Sequence, residues 1–218
     1  SHAEYILFPR ILALAEVAWT PQALRKYPDF LSRVNYHVPA LKKRGINVYP
    51  LRRIAALSEV DTVQHLVSVR LESERPKADI RYTTDGTEPT AQSPLYMGTP
   101  LTSSDSLTVT ARLFEGKQVV EAVPTITFRT DYHKAIGKHI TYNNCTWNER
   151  YPAGGTCALI DGVRGTPTYL DGRWQGFTSP MDVTIDLGAV MELRHIFAKF
   201  MQERVQWVYM PGAVEVLL

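Results

Sequence analysis

The sequence lacks the features that mark several large functional classes. Only two of its 218 residues are cysteine, and no apolar run approaches the roughly 18 residues that span a bilayer. Neither sign of charge dominates, since 24 Lys and Arg residues stand against 22 Asp and Glu residues. We therefore expect no transmembrane segment and no overall field that would collect nucleic acid. Residues 1–4 lack the basic start of a signal peptide, so we expect the chain to begin within a longer protein.

The short motifs of common enzyme sites are also missing. The sequence contains neither a Gly-x-Ser-x-Gly elbow nor a Gly-x-Gly-x-x-Gly phosphate loop, so serine hydrolases and nucleotide-dependent enzymes have no support. Of the six histidines, His133 and His139 lie closest together, without the i, i+4 spacing or the neighbouring cysteine that a zinc site would use. We therefore expect no zinc site.

What the sequence does contain is a clear β signal in its middle. Ile80, Tyr82 and Thr84 alternate with polar neighbours, as the residues of a half-buried strand do. Asp85 and Gly86 follow, and both tolerate the backbone angles of a tight turn. This stretch predicts a strand that ends in a sharp turn.

Two amphipathic helices are predicted before this region. The first covers residues 3–19, where apolar residues recur at spacings of three and four, and it ends at Thr20-Pro21. The second runs from about residue 28 to residue 44, with Gly45 just beyond its end. Pro39 is expected to kink or split the second helix.

From about Thr62 the apolar period changes to two, as in the series Val67, Val69 and Leu71. Short alternating segments separated by turn residues predict an antiparallel, immunoglobulin-like sandwich of five or six strands. A third segment begins near Lys134 and is rich in glycine and aromatic residues at first. Further strands are predicted there at residues 183–187, 196–200 and 213–218.

Three stretches of this sequence resemble segments of known glycosidases. The signature YTTDGTEPT…SPLY at residues 82–96 resembles the β domain that follows the catalytic barrel in bacterial chitobiases and β-N-acetylhexosaminidases. Residues 8–20, FPRILALAEVAWT, resemble the final barrel helix of family 20 glycoside hydrolases. The stretches ALIDG, GRWQGF and DVTIDLG after residue 157 resemble discoidin-like modules, the coagulation factor 5/8 type C kind, of bacterial surface glycosidases.

The resemblance implies a mainly β chain with N-terminal α structure and three parts. Residues 1–53 would be helices from the end of a (β/α)8 barrel. Residues 54–131 would be the immunoglobulin-like chitobiase C-terminal domain. Residues 132–218 would be an incomplete discoidin-like jelly roll of the galactose-binding type.

The resemblance also implies a function for the parent protein. Family 20 enzymes remove terminal N-acetylhexosamine from glycans or chitooligosaccharides by substrate-assisted hydrolysis, with an Asp-Glu pair on the fourth barrel strand. This chain resembles only later segments, so no catalytic residue is assigned to it, no cofactor is required, and we expect it to be inactive alone. The implied partners are N-acetylhexosamine-containing glycans and the remainder of the parent polypeptide, in the periplasm, at the cell surface or outside a bacterium.

Two other functions stay open. The chain could be a non-catalytic carbohydrate-binding or adhesion fragment, whose discoidin-like part docks glycans. It could equally be a scaffold that shields the barrel. Shallow sugar sites are built from scattered loop residues, so the sequence does not rank these alternatives.

Three candidate sites lie in the third segment. The resemblance implies a structural calcium loop, with Asp161 and Thr166 as side-chain ligands and Ala158 and Val163 as carbonyl ligands; the alternative is a metal-free loop. For carbohydrate binding the candidates are the aromatic rings of Tyr151, Tyr169 and Trp174, which could instead fill the core. Cys145 and Cys157 could close a disulfide in an oxidising compartment.

Overall fold

A computed structural model describes residues 1–49, 53–75, 77–121 and 123–218. The chain is mainly β with a small helical part at its N-terminus, which confirms the predicted fold class. It divides into two compact units. The first comprises Ser1–Leu57, Leu71–Thr99 and Thr110–Ile126, and the second comprises Ser58–Arg70, Pro100–Val109 and Thr127–Leu218.

The α-helices of the described residues belong to the first unit. The predicted single helix over residues 3–19 is wrong, because two helices form there: α1 at His2–Leu7 and α2 at Arg10–Trp19. They separate at Phe8, whose backbone is extended with φ −100° and ψ 135°. The ring of Pro9 explains this, since a proline disfavours the helical conformation in the residue before it.

The third helix, α3, covers Tyr27–Lys43 and continues through Pro39, so of the two predicted effects the split is wrong and the kink stays a prediction. A proline removes one backbone donor, and four turns of helix keep enough other bonds to remain continuous. The predicted end is confirmed: Gly45 takes φ +77° and donates to the carbonyl of Lys42 at 2.9 Å. The next N–H donates to the carbonyl of Leu41 at 3.2 Å, which completes a Schellman cap.

Among the described residues between 54 and 131, seven strands follow, all before the third segment. The first of them, β1, begins at Ile54, which is earlier than the predicted onset near Thr62. The bounds of the seven strands are β1 Ile54–Asp61, β2 Leu66–Ser73, β3 Asp79–Thr83, β4 Leu101–Ser103, β5 Ser106–Glu115, β6 Gln118–Val119 and β7 Ile126–Asp131. In the sheet order β1, β2, β4, Val67 of β2 lies opposite Ser103 of β4 in an antiparallel register.

In the first unit the YTTDGTEPT signature forms the end of β3 and the turn that follows it. Tyr82 of β3 lies opposite Ala111 of β5 in an antiparallel ladder. Gly86 takes φ +83°, and Oδ1 of Asp85 accepts hydrogen bonds from the N–H and the hydroxyl of Thr87 at 3.0 and 2.6 Å. The predicted strand and turn are therefore confirmed, and the hydrogen bonds from Thr87 lower the pKa of Asp85.

In the second unit three further strands extend the β structure. They are β8 at His139–Tyr142, β9 at Val163–Arg164 and β10 at Val183–Asp186. The short strand β9 pairs with β7, and β10 pairs with β8. The predicted strand at residues 183–187 is confirmed by β10. The assignments to a barrel end and a jelly roll stay predictions.

The strands predicted at residues 196–200 and 213–218 are wrong. Neither segment forms a ladder with any described residue. Alternating apolar residues suit a strand, but a strand forms only where a neighbouring backbone takes its hydrogen bonds. Many side chains there are exposed, such as Phe197 at 85% and Leu217 at 85%.

The core of the β region follows the predicted alternation. Val67, Val69 and Leu71 of β2 are buried, as the sequence predicts. Thr130 of β7 is also fully buried, although it is polar. Its hydroxyl has no hydrogen-bond partner among the described residues, which makes it an unfavourable group in the second unit.

Replacing Thr130 with valine should therefore stabilise the protein. Thr130→Val keeps the shape of the side chain and removes the unpaired hydroxyl, so we expect about 1 kcal/mol more stability in urea unfolding. The matched control is Thr102→Val on β4, where the side chain is exposed and the change should be small. A loss of stability in Thr130→Val would show that the hydroxyl has a partner, such as a buried water.

Candidate functional site

The candidate residues all lie between residues 142 and 177, in the second unit. Two single turns of 3-10 helix, Gly155–Cys157 and Tyr169–Asp171, interrupt this loop-rich stretch. Ile160 anchors it, with only 2% of its surface exposed. The polar and aromatic side chains near Ile160 therefore lie on a loop that packs into the core at this residue.

Asp161 is a partly buried carboxylate in this loop. Its Oδ1 accepts the N–H of Val163 at 2.8 Å, and burial raises the pKa of the carboxyl. Gly154 lies directly beside it, since a Cβ at that position would come within 2.8 Å of Oδ2. A partly buried carboxylate of this kind suits a hard cation, which would stabilise its charged form.

Thr166 is placed differently from the calcium prediction. Its N–H and its hydroxyl both donate to Oδ2 of Asp171, at 2.6 and 2.7 Å. Oδ1 of Asp171 accepts the N–H of Arg173 at 2.9 Å. The structure thus joins Asp161 to Val163 and joins Thr166 to Asp171, a residue that the sequence reasoning missed.

A local signal could have revealed Asp171. It precedes Gly172, and an Asp-Gly pair marks a turn in which the carboxylate takes up backbone N–H groups. Gly172 takes φ +72°, as such a turn requires. Ala158, the remaining predicted ligand, follows the Gly155–Cys157 turn and donates its N–H to the carbonyl of Gly155 at 3.0 Å.

Metal-ligating residues are sparse around this loop. Within the described residues, no group of three or more His, Cys, Asp or Glu side chains is arranged to hold a metal ion. Calcium takes six to eight oxygen ligands, many of which can be carbonyls or waters. The calcium assignment therefore depends on Asp161 and on backbone oxygens, and it stays a prediction.

The three predicted sugar-binding aromatics have different surroundings. The indole N–H of Trp174 donates to the carbonyl of Thr166 at 2.8 Å. Its ring lies against Gly165, where a Cβ would come within 2.3 Å of the indole. These contacts favour a packing role for Trp174.

Tyr151 and Tyr169 form a separate pair. Their ring centroids are 6.2 Å apart, with the planes at 81°. Tyr151 also packs over Gly176, because a Cβ there would come within 3.1 Å of Cβ of Tyr151. Both tyrosines keep part of their surface open to solvent, as a sugar-stacking residue must.

A second aromatic cluster surrounds Tyr142, and the sequence reasoning did not find it. The ring centroid of Trp147 lies 5.0 Å from that of Tyr142, and the centroid of Phe177 lies 6.2 Å away. The Tyr142 hydroxyl lies 2.9 Å from the carbonyl of Thr156 and 3.0 Å from Oε1 of Gln175. Burial raises the pKa of Tyr142, and the cluster ties β8 to the Gly155–Cys157 turn.

The two cysteines are both free thiols in the structure. Cys145 is half-buried, and its sulfur donates to the carbonyl of Asp182 at 3.1 Å. Cys157 is exposed. The predicted disulfide stays a prediction.

The middle of the chain matches a known protein family. Residues 59–125 match the family model of the chitobiase/beta-hexosaminidase C-terminal domain. This segment contains the YTTDGTEPT signature and lies inside the predicted domain at residues 54–131. The resemblance of this chain to the C-terminal part of a family 20 hexosaminidase is therefore confirmed.

A curated relative supports the same conclusion. Over 95 residues the chain is 34% identical to a protein named Beta-hexosaminidase from Porphyromonas gingivalis (strain ATCC BAA-308 / W83). The match covers 43% of this chain and 12% of the relative. The chain thus corresponds to a small part of that protein.

Among the described residues, no helix is both long and apolar enough to cross a membrane.

The disulfide can be tested on the thiols directly. If Cys145 and Cys157 pair in an oxidising compartment, the bridge closes a short loop and should stabilise the protein by about 3 kcal/mol. The measurement is a thiol titration of unreduced, unfolded protein, which should detect no free thiol. Two titratable thiols would rule the bridge out, and a Cys145→Ser variant serves as the one-thiol standard.

Proposed function

We propose that this chain is the C-terminal, non-catalytic part of a β-N-acetylhexosaminidase. The parent enzyme would remove terminal N-acetylhexosamine from glycans or chitooligosaccharides by substrate-assisted hydrolysis. The observation that carries the proposal is the family match over residues 59–125, in a chain that is 34% identical to a bacterial Beta-hexosaminidase over 95 residues. The catalytic groups would be supplied by the remainder of the parent polypeptide.

We propose a glycan-binding role for the third segment within that enzyme. The support is the Tyr151 and Tyr169 pair, because two partly exposed rings held at 81° offer apolar faces on a fixed backbone. The apolar face of a pyranose ring stacks on such surfaces, while a rigid tyrosine loses little conformational entropy. Trp174 would hold the loop in place through the hydrogen bond from its indole N–H to the carbonyl of Thr166.

A calcium ion at the Asp161 loop is the second part of the proposal. The raised pKa of Asp161 supports it, since burial of a carboxylate is unfavourable unless a positive charge compensates. The opposing consideration is the hydrogen bonding around Asp171, which closes the same loop without metal.

We also propose a location for the protein. The relative is bacterial, and the glycans proposed here as substrates are extracellular polymers. The protein would therefore lie in the periplasm, at the cell surface or outside the cell.

The glycan proposal can be tested with the purified chain. We expect no release of chromophore from an N-acetylglucosaminide, but binding of a chitooligosaccharide in calorimetry. Tyr151→Ala should weaken that binding about tenfold, because stacking of one ring contributes on the order of 1 kcal/mol or more.

The control for the glycan test is Tyr36→Ala on α3, which removes a tyrosine that is 79% exposed but lies outside the candidate site. Hydrolysis by the chain alone would contradict the non-catalytic assignment. Absence of binding in the unsubstituted chain would contradict the glycan role and favour the scaffold function instead.

The calcium proposal predicts a calcium-dependent melting temperature. Calcium at about 100 times its dissociation constant should stabilise the folded state by about 2.7 kcal/mol, and Asp161→Asn should abolish that gain. Asp105→Asn, an exposed carboxylate of the same unit, is the control. An unchanged melting temperature from chelator to millimolar calcium would show that the loop is metal-free.

The pH dependence gives a second measurement on the same residue. Without calcium, the raised pKa means that the folded state binds the Asp161 proton more tightly than the unfolded state does. The stability from that proton is complete below the unfolded pKa and is lost as the pH rises through the folded pKa. Asp161→Asn should remove this loss, so its stability relative to the original chain should increase from pH 3 to pH 7.

A further inference from the structure

The junction between β7 and β8 is held in place by residues distant in the sequence. We define the junction segment as residues 132–137, which follow the predicted end of the sandwich at residue 131. We propose that the turn between β1 and β2, residues 62–65, fastens this segment so that it is a rigid joint and not a flexible linker. Both parts lie in the second unit.

The first attachment is a hydrogen bond between two aromatic side chains. Nδ1 of His65 lies 2.7 Å from the hydroxyl of Tyr132, and the two ring centroids are 5.4 Å apart with the planes at 84°. The N–H of Tyr132 donates to the carbonyl of Asp105 at 2.7 Å. Tyr132 is therefore held through both its side chain and its backbone.

The turn is preorganised for this contact. Oδ1 of Asp61 accepts the N–H groups of Val63 and Gln64, both at 2.8 Å, which fixes the start of the turn. His65 takes φ +55°, a left-handed conformation that few non-glycine residues adopt. Such a conformation persists where surrounding contacts hold it, and the bond to Tyr132 is one of these contacts.

The second attachment is a close approach at Gly137. This residue takes φ +70°, and a Cβ there would come within 2.7 Å of the methyl group of Thr62. Thr62 belongs to the same turn as His65. The turn thus contacts the junction segment near both of its ends, and Gly137 is the residue that permits the second contact.

The other side of the junction is held by the candidate-site loop. The N–H of Asp131 donates to the carbonyl of Gly162 at 2.9 Å. Ile136 is buried, with 6% of its surface exposed. A Cβ on Gly162 would come within 2.3 Å of the Asp131 carbonyl and 3.0 Å of Cδ1 of Ile136.

The junction segment is therefore enclosed from two directions. Linkers between domains are usually exposed and rich in small polar residues, with few contacts across them. This segment differs in its contacts, because it carries a buried isoleucine and a tyrosine bonded at two points. The β1–β2 turn and the loop that carries Asp161 are consequently fixed to one another through the junction.

Limited trypsin digestion of the full chain tests the joint. Lys134 lies inside the junction segment and is exposed, so cleavage after it reports local opening of the backbone. We expect slow cleavage in the original chain and a rise of about fivefold in His65→Ala and in Tyr132→Phe, because each removes one hydrogen bond from the closed state.

The controls separate local opening from loss of the fold. His195→Ala removes another exposed histidine of the second unit and should leave cleavage after Lys134 unchanged. Cleavage after Lys117, in the turn between β5 and β6, serves as the internal reference within each sample. Gly137→Ala should also raise the rate at Lys134, through its clash with Thr62.

Rapid cleavage after Lys134 in the original chain would overturn the proposal. So would unchanged rates in both His65→Ala and Tyr132→Phe. A rise at Lys134 that is matched by an equal rise at Lys117 would point to general destabilisation and would count against a local joint.

Discussion

Burial of β5 is the constraint on which the rest of the fold depends. This strand is ten residues long and contributes residues to both compact units. Leu107 and Val109 are buried in one unit, and Ala111, Leu113 and Phe114 are buried in the other. Full burial of one large apolar side chain contributes about 1.5–3 kcal/mol, so this strand provides a large share of the driving force for folding. The YTTDGTEPT strand gains its position by pairing with β5.

Three aspartates of this protein shape its loops. Asp61, Asp85 and Asp171 each accept two or more hydrogen bonds from N–H or hydroxyl groups within a few residues. Such bonds compensate for backbone groups that no strand or helix can pair. Asp161 differs, because burial raises its pKa. A bound cation would offset the unfavourable burial of its charge, which is the reason for proposing calcium at this carboxylate.

Glycines at close approaches have a comparable role in the second unit. Gly162 and Gly165 allow the backbone to lie against Asp131 and Trp174 at distances that any side chain would prevent. Gly137 does the same for Thr62. These three positions bring together the β1–β2 turn, the end of β7 and the candidate-site loop. The ALIDG motif, through Gly162, therefore has a packing role whether or not it holds calcium.

The sequence alone was enough to predict the strands, turns and helix end that depend on residues close together in the chain. The alternation of Val67, Val69 and Leu71, the Asp85-Gly86 turn and the Gly45 cap each depend on neighbouring residues, and each is found as predicted. The resemblance to hexosaminidases was likewise readable from residues 82–96. Only the tertiary structure decided which carboxylate Thr166 binds, and that His65 meets Tyr132. It also decided that residues 196–200 form no strand, because a ladder needs a partner that the periodicity of one segment does not reveal.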